Sequence, residues 1–412
     1  MKLFRLRPGK MLAVALVVAA LTGTAGADVM YTTSDYTNGA LGAISLAKVE
    51  AKLVEGFALL GGDTALFSLG EGDAARVLLV EHNITDGDRA YVFSPSEPSD
   101  VLFNPAWSTI NNTYDAAMLN GKLYVADNGL YAPATNGPVV EVNTTDYMPT
   151  NTSYSYTASE GNTSHAVKVA AVGDSLYALF TLASGDYPYD YAQSVIMKLS
   201  ASMEELGKKE VGENASDMAG IVAVGEDKIA VAYNGGAQES GNVGGIDIVT
   251  FSSGGISSEP LELPSNVGEI AAVCYDGSKL YFIGVNYASS EKTLYSTPVD
   301  HDARNVVSVD TVETTSYVPP RVEYDPYNNV IVALIGDEIR IYGSDGHIDF
   351  DNKDLGGYPY SIAIVPSSST PQPGGSSGGC GVFGAAGLLA LLAPWVLLRL
   401  RLRLRPRPRR SA

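Results

Sequence analysis

The sequence predicts an all-β fold, a seven-bladed β-propeller closed by its own N- and C-terminal strands. Three observations predict it. The first is a repeating unit of apolar strand, tight turn, second strand often containing Tyr, polar loop and short third strand. It reads "AAMLNGKLYVADN", "VAAVGDSLYALFT", "IVAVGEDKIAVAYN", "IAAVCYDGSKLYFIGVN" and "VEYDPYNNVIVALIG". The copies begin near Ala116, Lys168, Ala219, Ile270 and Val322, about 51 residues apart, with a looser copy from Ala65. A period of roughly 40 to 50 residues built from a few strands is that of propeller blades. The second observation is turn chemistry: Asn-Gly, Gly-Asp and Asp-Gly punctuate apolar runs, and no stretch carries a convincing helical period. The third is what remains after six copies. Residues 361–365 of "YPYSIAIVP" supply one apolar strand, and residues 28–56 supply a second, third and fourth strand without a first. Together they complete a seventh blade, which leaves no unpaired edge. Six or eight blades are the alternatives if the copy near Ala65 is miscounted, and a pair of β-sandwiches is the alternative reading of the same strands.

Each end of the chain reads as something other than fold. Lys2, Arg5, Arg7 and Lys10 precede the apolar run "MLAVALVVAALTG" and the small residues Ala25 and Ala27. This is the layout of a secretory signal peptide at 1–27, and the run is shorter than the roughly 20 apolar residues that span a bilayer. The propeller then occupies 28–366. Residues 367–379 form a Pro/Gly/Ser linker without apolar content. Residues 380–412 hold Cys380, an apolar run at 382–398 and seven arginines between Arg399 and Arg410. A basic end of this kind stays on the inner side of a membrane.

Charge excludes one class of partner. The two ends hold 11 of the 27 Lys and Arg residues and none of the 46 Asp and Glu residues, so the part between them carries 16 basic side chains and a formal charge of −30. Such a surface repels nucleic acid and anionic lipid. Cysteine usage adds little: Cys274 sits on a strand pattern as a small apolar residue, and Cys380 has no partner within the propeller.

The tail, from Ser376 to Arg410, places Gly378, Gly379 and Cys380 between a polar linker and an apolar span with a basic end. It resembles the Gly-Gly-Cys C-terminal sorting domains of Gram-negative-type bacteria, most closely the Synergistes-type version with "SSGGC". That resemblance implies processing or attachment at Gly378, Gly379 and Cys380 by a rhomboid-like, rhombosortase-like membrane protease. It implies an exported protein at the cell surface or outer membrane of a diderm bacterium, with a precursor held in the membrane by its C-terminal segment and cut at the other end by signal peptidase. The end "RLRLRLRPRPRR" is longer and more basic than the pattern requires. A plain C-terminal membrane anchor is the alternative.

Candidate ligand residues come from the loops. First-to-second turns are minimal, whereas second-to-third loops are long and rich in Tyr, Asn and Asp: "SDYTNG", "HNITDGDR", "NGLYAPATNGP", "LASGDYPYDYAQ", "NGGAQESGNVGG" and "NYASSEKT". In a propeller these loops share a face with the connections between blades, so one face is plain and the other decorated. Tyr131, Tyr187, Tyr189, Asp190, Tyr191, Asn234 and Tyr287 are the candidate ligand-binding residues, with "GDYPYDY" foremost. Tyr offers stacking area with a polar tip, and Asn and Asp offer oriented hydrogen bonds, which suits a glycan or peptide. The same residues are also ordinary turn formers.

Other apparent motifs carry less. "GDSL" at 173–176 falls in the same tight turn as "GEDK" and "DGSK" of neighbouring repeats. His82, His165, His301 and His347 are scattered and show no zinc spacing. No cofactor is expected, though Asp86 and Asp88 in "TDGD", and Asp349 and Asp351 in "DGHIDFDNKD", group hard oxygens that suit calcium. The function expected is a non-catalytic, surface-directed binding or adhesion module whose surface glycan or protein ligand is unknown. The alternatives are a secreted lyase or glycosidase, which needs carboxylates or a His converging in the central funnel, and a structural surface coat.

Overall fold

Alternating or continuous apolar runs bounded by turn residues form strands here, and the computed structural model describes them over residues 28–365. Positions 35–38, 47, 60–63, 71–74, 83–86, 130–135, 160, 185–189, 213–216, 235–243, 287, 300–304, 315, 317 and 349 are outside that description. Blade 2 contains β4 (Thr64–Leu69), β5 (Arg76–Glu81), β6 (Asp88–Ser94), β7 (Glu97–Phe103) and a short β8 (Ala106–Trp107). Blade 3 contains β9 (Thr113–Leu119), β10 (Lys122–Asp127), β11 (Val139–Val142) and β12 (Pro149–Tyr154). Blade 4 contains β13 (Thr163–Val172), β14 (Ser175–Ser184), β15 (Asp190–Ser200) and β16 (Glu205–Val211). Blade 5 contains β17 (Asp217–Gly225), β18 (Lys228–Asn234), β19 (Gly245–Ser252) and β20 (Gly255–Pro260). Blade 6 contains β21 (Glu269–Tyr275), β22 (Lys279–Asn286), β23 (Glu291–Pro298) and β24 (Val307–Glu313). Blade 7 contains β25 (Arg321–Asp325), β26 (Val330–Ile335), β27 (Glu338–Gly343) and β28 (Gly346–Ile348).

Blade 1 is split between the two ends of the propeller. It contains β1 (Asp28–Ser34), β2 (Gly39–Ser45), β3 (Glu50–Leu59) and, innermost, β29 (Tyr358–Val365), in the order β29-β1-β2-β3. The chain is therefore a seven-bladed β-propeller, and the closing strand begins three residues earlier than the apolar pattern placed it. Antiparallel register runs from Asp28 opposite Val365 to Ser34 opposite Tyr358. The inner strands β29, β4, β9, β13, β17, β21 and β25 each touch the next around a complete ring.

Packing follows the blades. Seven apolar clusters of described residues each fill the space between two neighbouring blades. The turns that join first and second strands are as local as their sequence suggests. Asn120 and Gly121 both take left-handed backbone, φ 52° and 76°, which a two-residue type I′ hairpin requires. The "GDSL" stretch is likewise a two-residue hairpin turn between β13 and β14, with left-handed backbone at Gly173 (φ 57°) but not at Asp174. Cys274 is a buried free thiol on β21, its ionisation pushed well above the usual range by burial.

Two features depart from the sequence pattern. Blades 2 to 7 each gain a fourth, outermost strand where the repeat shows three, because strands such as β16 (ELGKKEV) and β20 (GISSEP) face water and are polar. Blade 2 also has β8, which pairs with β6 beyond the regular four-strand order. Among the described residues no helix is long and apolar enough to cross a membrane. The signal peptide, the linker, Gly378, Gly379, Cys380 and the apolar run at 382–398 lie outside the described residues.

Candidate functional site

The strand order settles which loops share a face. Every inner strand starts where its blade receives the chain from the previous one, and every second strand ends there. The connections from Asp127 to Val139, from Ser184 to Asp190 and from Asn234 to Gly245 therefore cross the same end of the ring. Asp190 and Tyr191 begin β15, where their backbones pair with Ser184 and Ala183. Asn234 ends β18, half-buried and opposite Asp217. Tyr131, Tyr187, Tyr189 and Tyr287 lie outside the described residues, as do the side chains of Asp190 and Tyr191.

Beneath these loops lies a buried polar layer. Asp88, 1% exposed, accepts from the Asn112 N–H at 3.1 Å, the Thr113 N–H at 2.7 Å and the Thr113 hydroxyl at 2.7 Å. Its carboxylate bolts blade 2 to the start of β9, a use quite unlike the calcium ligation its sequence context suggests. Asp86 and Asp349 lie outside the described residues, and Asp351 is an exposed residue next to a short 3-10 helix (Asn352–Leu355). Among the described residues no group of three or more His, Cys, Asp or Glu is arranged to hold a metal ion. Nearby, His165 Nδ1–H donates to Asn128 O at 2.6 Å and Nε2 pairs with the Thr163 hydroxyl at 2.8 Å. Burial lowers its pKa, so it serves as a neutral strut beneath the β10–β11 connection. Asp127 accepts from the Asn111 N–H at 3.1 Å, and burial, assisted by the Asp88 charge, raises its pKa to about 7.

The ring encloses a central channel of about 140 Å³, lined almost wholly by inner strands. Small residues dominate several walls, among them Ala65, Gly220, Ala272, Ser361 and Ala363. Four charges enter it: Asp115 from β9, Lys168 from β13, and Arg321 and Glu323 from β25. Two residues apart on one strand, Arg321 and Glu323 project from the same side by the period of the pleat. Lys168 follows a register shift after Ala166, a bulge of the kind that re-aims a side chain. The Asp115 carboxylate accepts from the Ala116 N–H at 3.0 Å and from the Val169 N–H at 3.1 Å, which ties β9 to β13.

Burial raises the pKa of Asp115, opposed by Lys168, the two backbone N–H groups and Arg321. Burial first and the Asp115 charge second raise Glu323 to about 7, against the pull of Arg321 and Lys168. Sequence reasoning missed this set. The signal was present, since aligning the repeats puts Asp115, Lys168 and Arg321 where other copies have Ala65, Gly220 and Ala272.

A pH test follows. With its pKa raised from 4.5 to about 7, Glu323 holds a proton in the folded state that it releases in the unfolded chain. Stability from this group is present below pH 4.5 and is lost as pH rises toward 7. Glu323→Gln is expected to match the native protein near pH 5 and to exceed it at pH 8 by about 2–3 kcal/mol. Urea unfolding at both pH values measures this, and an equal difference at both would reject it.

Solved structures share the fold. A candidate 6-phosphogluconolactonase from Bacteroides fragilis is similar over 84% of this chain and 99% of its own, with 10% identity and a TM-score of 0.57. One from Bacteroides uniformis is similar over 83% and 100%, with 10% identity and a TM-score of 0.55. A lignostilbene dioxygenase from Pseudomonas brassicacearum is similar over 83% and 92%, with 11% identity and a TM-score of 0.51. At such identities the likeness concerns the fold, which hosts many chemistries. No protein-family model and no curated protein sequence matches the chain.

Proposed function

We propose that this chain is an exported, surface-directed β-propeller that acts as a non-catalytic binding or adhesion module and takes a glycan or peptide on its loop-bearing face. The observation that carries the reading is the unequal dress of the two ends. One end has hairpin turns such as Asn120-Gly121, while the other gathers the connections after Asp127, Ser184 and Asn234. Tyr131, Tyr187, Tyr189, Asp190, Tyr191, Asn234 and Tyr287 belong to that end or flank it in sequence. The module is residues 28–366, delivered by a signal peptide at 1–27 and carried on a linker at 367–379. The segment 380–412 holds the precursor in the membrane until a rhomboid-like protease acts at Gly378, Gly379 and Cys380.

Binding is tested by screening full-length protein in detergent against glycan and peptide arrays, beside a variant with Tyr187, Tyr189 and Tyr191 changed to Ala. The variant is expected to lose at least about tenfold in affinity at unchanged melting temperature, because buried aromatics dominate such contacts. Equal affinity in the two proteins would count against the loop site. Processing is tested by intact mass and C-terminal peptide mapping of protein from its native envelope. A chain ending near Gly379, or modified at Cys380, supports sorting, and one running to Ala412 supports a resident anchor.

A catalytic reading draws on one observation, the convergence of Asp115 and Glu323 in the channel, where burial raises the pKa of both. A lyase or glycosidase uses a pair of carboxyl groups as acid and base. Turnover of any arrayed glycan, abolished in Glu323→Gln, would replace the binding reading.

A further inference from the structure

We propose that the central channel is a binding site for a small oxyanion, of the carboxylate or phosphate class, held between Arg321 and Lys168. Three features of the channel lead there. First, the cations come from separate blades, 4 and 7, and are directed to one axis, Lys168 after a bulge in its strand. The neighbouring inner strands β17 and β21 carry register shifts at the corresponding place, after Met218 and after Ile270, and there present Gly220 and Ala272. Blades 5 and 6 thus bring no charge to the level where blade 4 places its ammonium group, and at Gly220 a Cβ would lie 2.9 Å from the Val273 side chain.

Second, the acids leave one guanidinium N–H of Arg321 unmatched. Both carboxylate oxygens of Asp115 already accept backbone N–H groups, from Ala116 and Val169. The Nε of Arg321 is buried and has no hydrogen-bond partner. A buried guanidinium N–H left unmatched is costly, and an acceptor supplied by a ligand is a standard resolution. Guanidinium also meets an oxyanion in matching fork geometry.

Third, the balance of charge is set by a proton. The groups facing Glu323 are Asp115 on β9, Lys168 on β13, Arg321 on its own strand, and the Cys274 thiol on β21. Tyr324 and Tyr327 line the channel beside it. When Glu323 carries its proton, Lys168 and Arg321 outnumber the negative charges of the channel, which has an excess positive charge. When it loses the proton, that excess falls. Oxyanion binding is therefore coupled to proton uptake and is tighter on the acidic side of neutrality. The acidic exterior opposes long-range capture of anions, so the expected affinity is modest, in the millimolar range.

The test uses full-length protein in detergent, titrated separately with acetate and with inorganic phosphate at matched ionic strength. Binding is followed by calorimetry and by melting temperature. Saturable binding of at least one probe is expected, and Arg321→Gln and Lys168→Met should each weaken it at least tenfold. The two substitutions lie on different blades, so failure of one variant to fold leaves the other decisive. Acetate and phosphate distinguish a carboxylate from a phosphate source, and saturation by either supports the site. Where acetate binds, its constant charge between pH 6 and 8 allows a clean comparison: at least fivefold tighter binding at pH 6, reduced to no difference in Glu323→Gln. A response matched by sodium chloride, no saturation by either probe, or native affinity in a folded Arg321→Gln or Lys168→Met protein would overturn the proposal. The Tyr187, Tyr189 and Tyr191 variant is expected to bind these anions normally, so this site and the loop-face reading succeed or fail separately.

Discussion

A chain stopped after Gly357 is expected to lose cooperative unfolding, whereas one stopped after Pro366 keeps it. The two differ by β29, the inner strand of blade 1. Its removal strips β1 of a partner along its whole length, from Asp28 to Ser34. It also opens the ring on both flanks, since β29 packs against β4 and β25. Ile362 belongs to the apolar cluster shared with blade 7, and Ala363 and Val365 to the cluster shared with blade 2. Burial of Ile362 and Val365 alone is worth about 1.5–3 kcal/mol each. The Ser361 hydroxyl oxygen, which accepts from the Leu66 N–H at 3.1 Å, goes with them. Net stabilities of folded domains are only about 5–15 kcal/mol, so the loss exceeds what the remaining blades can absorb. Circular dichroism melts of the two truncations measure it. A sharp transition in the shorter chain would show that six blades and a partial seventh stand without closure.

Trp107→Ala is expected to cost about 3–5 kcal/mol, the range for removing a large buried aromatic side chain. Trp107 is fully buried between blades 2 and 3, among Leu78, Val92, Ile110 and Leu123. Its indole N–H donates to Tyr147 O at 2.8 Å, joining β8 to the turn between β11 and β12 of blade 3. The chain comes close on the other side too. Gly87 has φ +84°, and a Cβ there would lie 2.3 Å from Trp107 O, so no larger residue fits beside it. The cost corresponds to a fall of about 4–7 °C in melting temperature. Trp107→Phe, which keeps most of the volume and loses the hydrogen bond, should lie between the two. The chain has two tryptophans, and the other, Trp395, falls beyond Pro366. In the chain stopped after Pro366, tryptophan emission therefore reports Trp107 alone, and a blue-shifted native spectrum checks its burial directly. A melting temperature within about 2 °C of native for Trp107→Ala would contradict this account of β8.

β8 itself shows where sequence reading stops. Two residues carry no period, and their strand exists because β6 offers a free edge near Asp88. The outer strands were hidden for a related reason. β24 (VSVDTVE) is exposed at alternate positions or more, and its sequence says only that water lies on one side. The first-to-second hairpins were legible because Asn120-Gly121 and its relatives encode their backbone locally. Asp88 illustrates a limit of motifs. "TDGD" reads alike whether its carboxylate meets a cation or the backbone of the next blade, and here it meets Asn112 and Thr113.

Most of the architecture, an all-β ring of seven blades closed across its termini, was legible in the sequence. Hydrophobic period and turn chemistry act within a dozen residues, and repetition every 50 or so makes them countable. What the ring encloses emerged only once the blades were closed. Asp115, Lys168, Arg321 and Glu323 lie on inner strands of blades 3, 4 and 7, and they share a channel because closure brings those strands to one axis. No local pattern announces that meeting. A charge on an inner strand looks the same in sequence whether it faces a neighbouring blade, a counter-charge or a ligand, and the distance around a closed ring makes the difference.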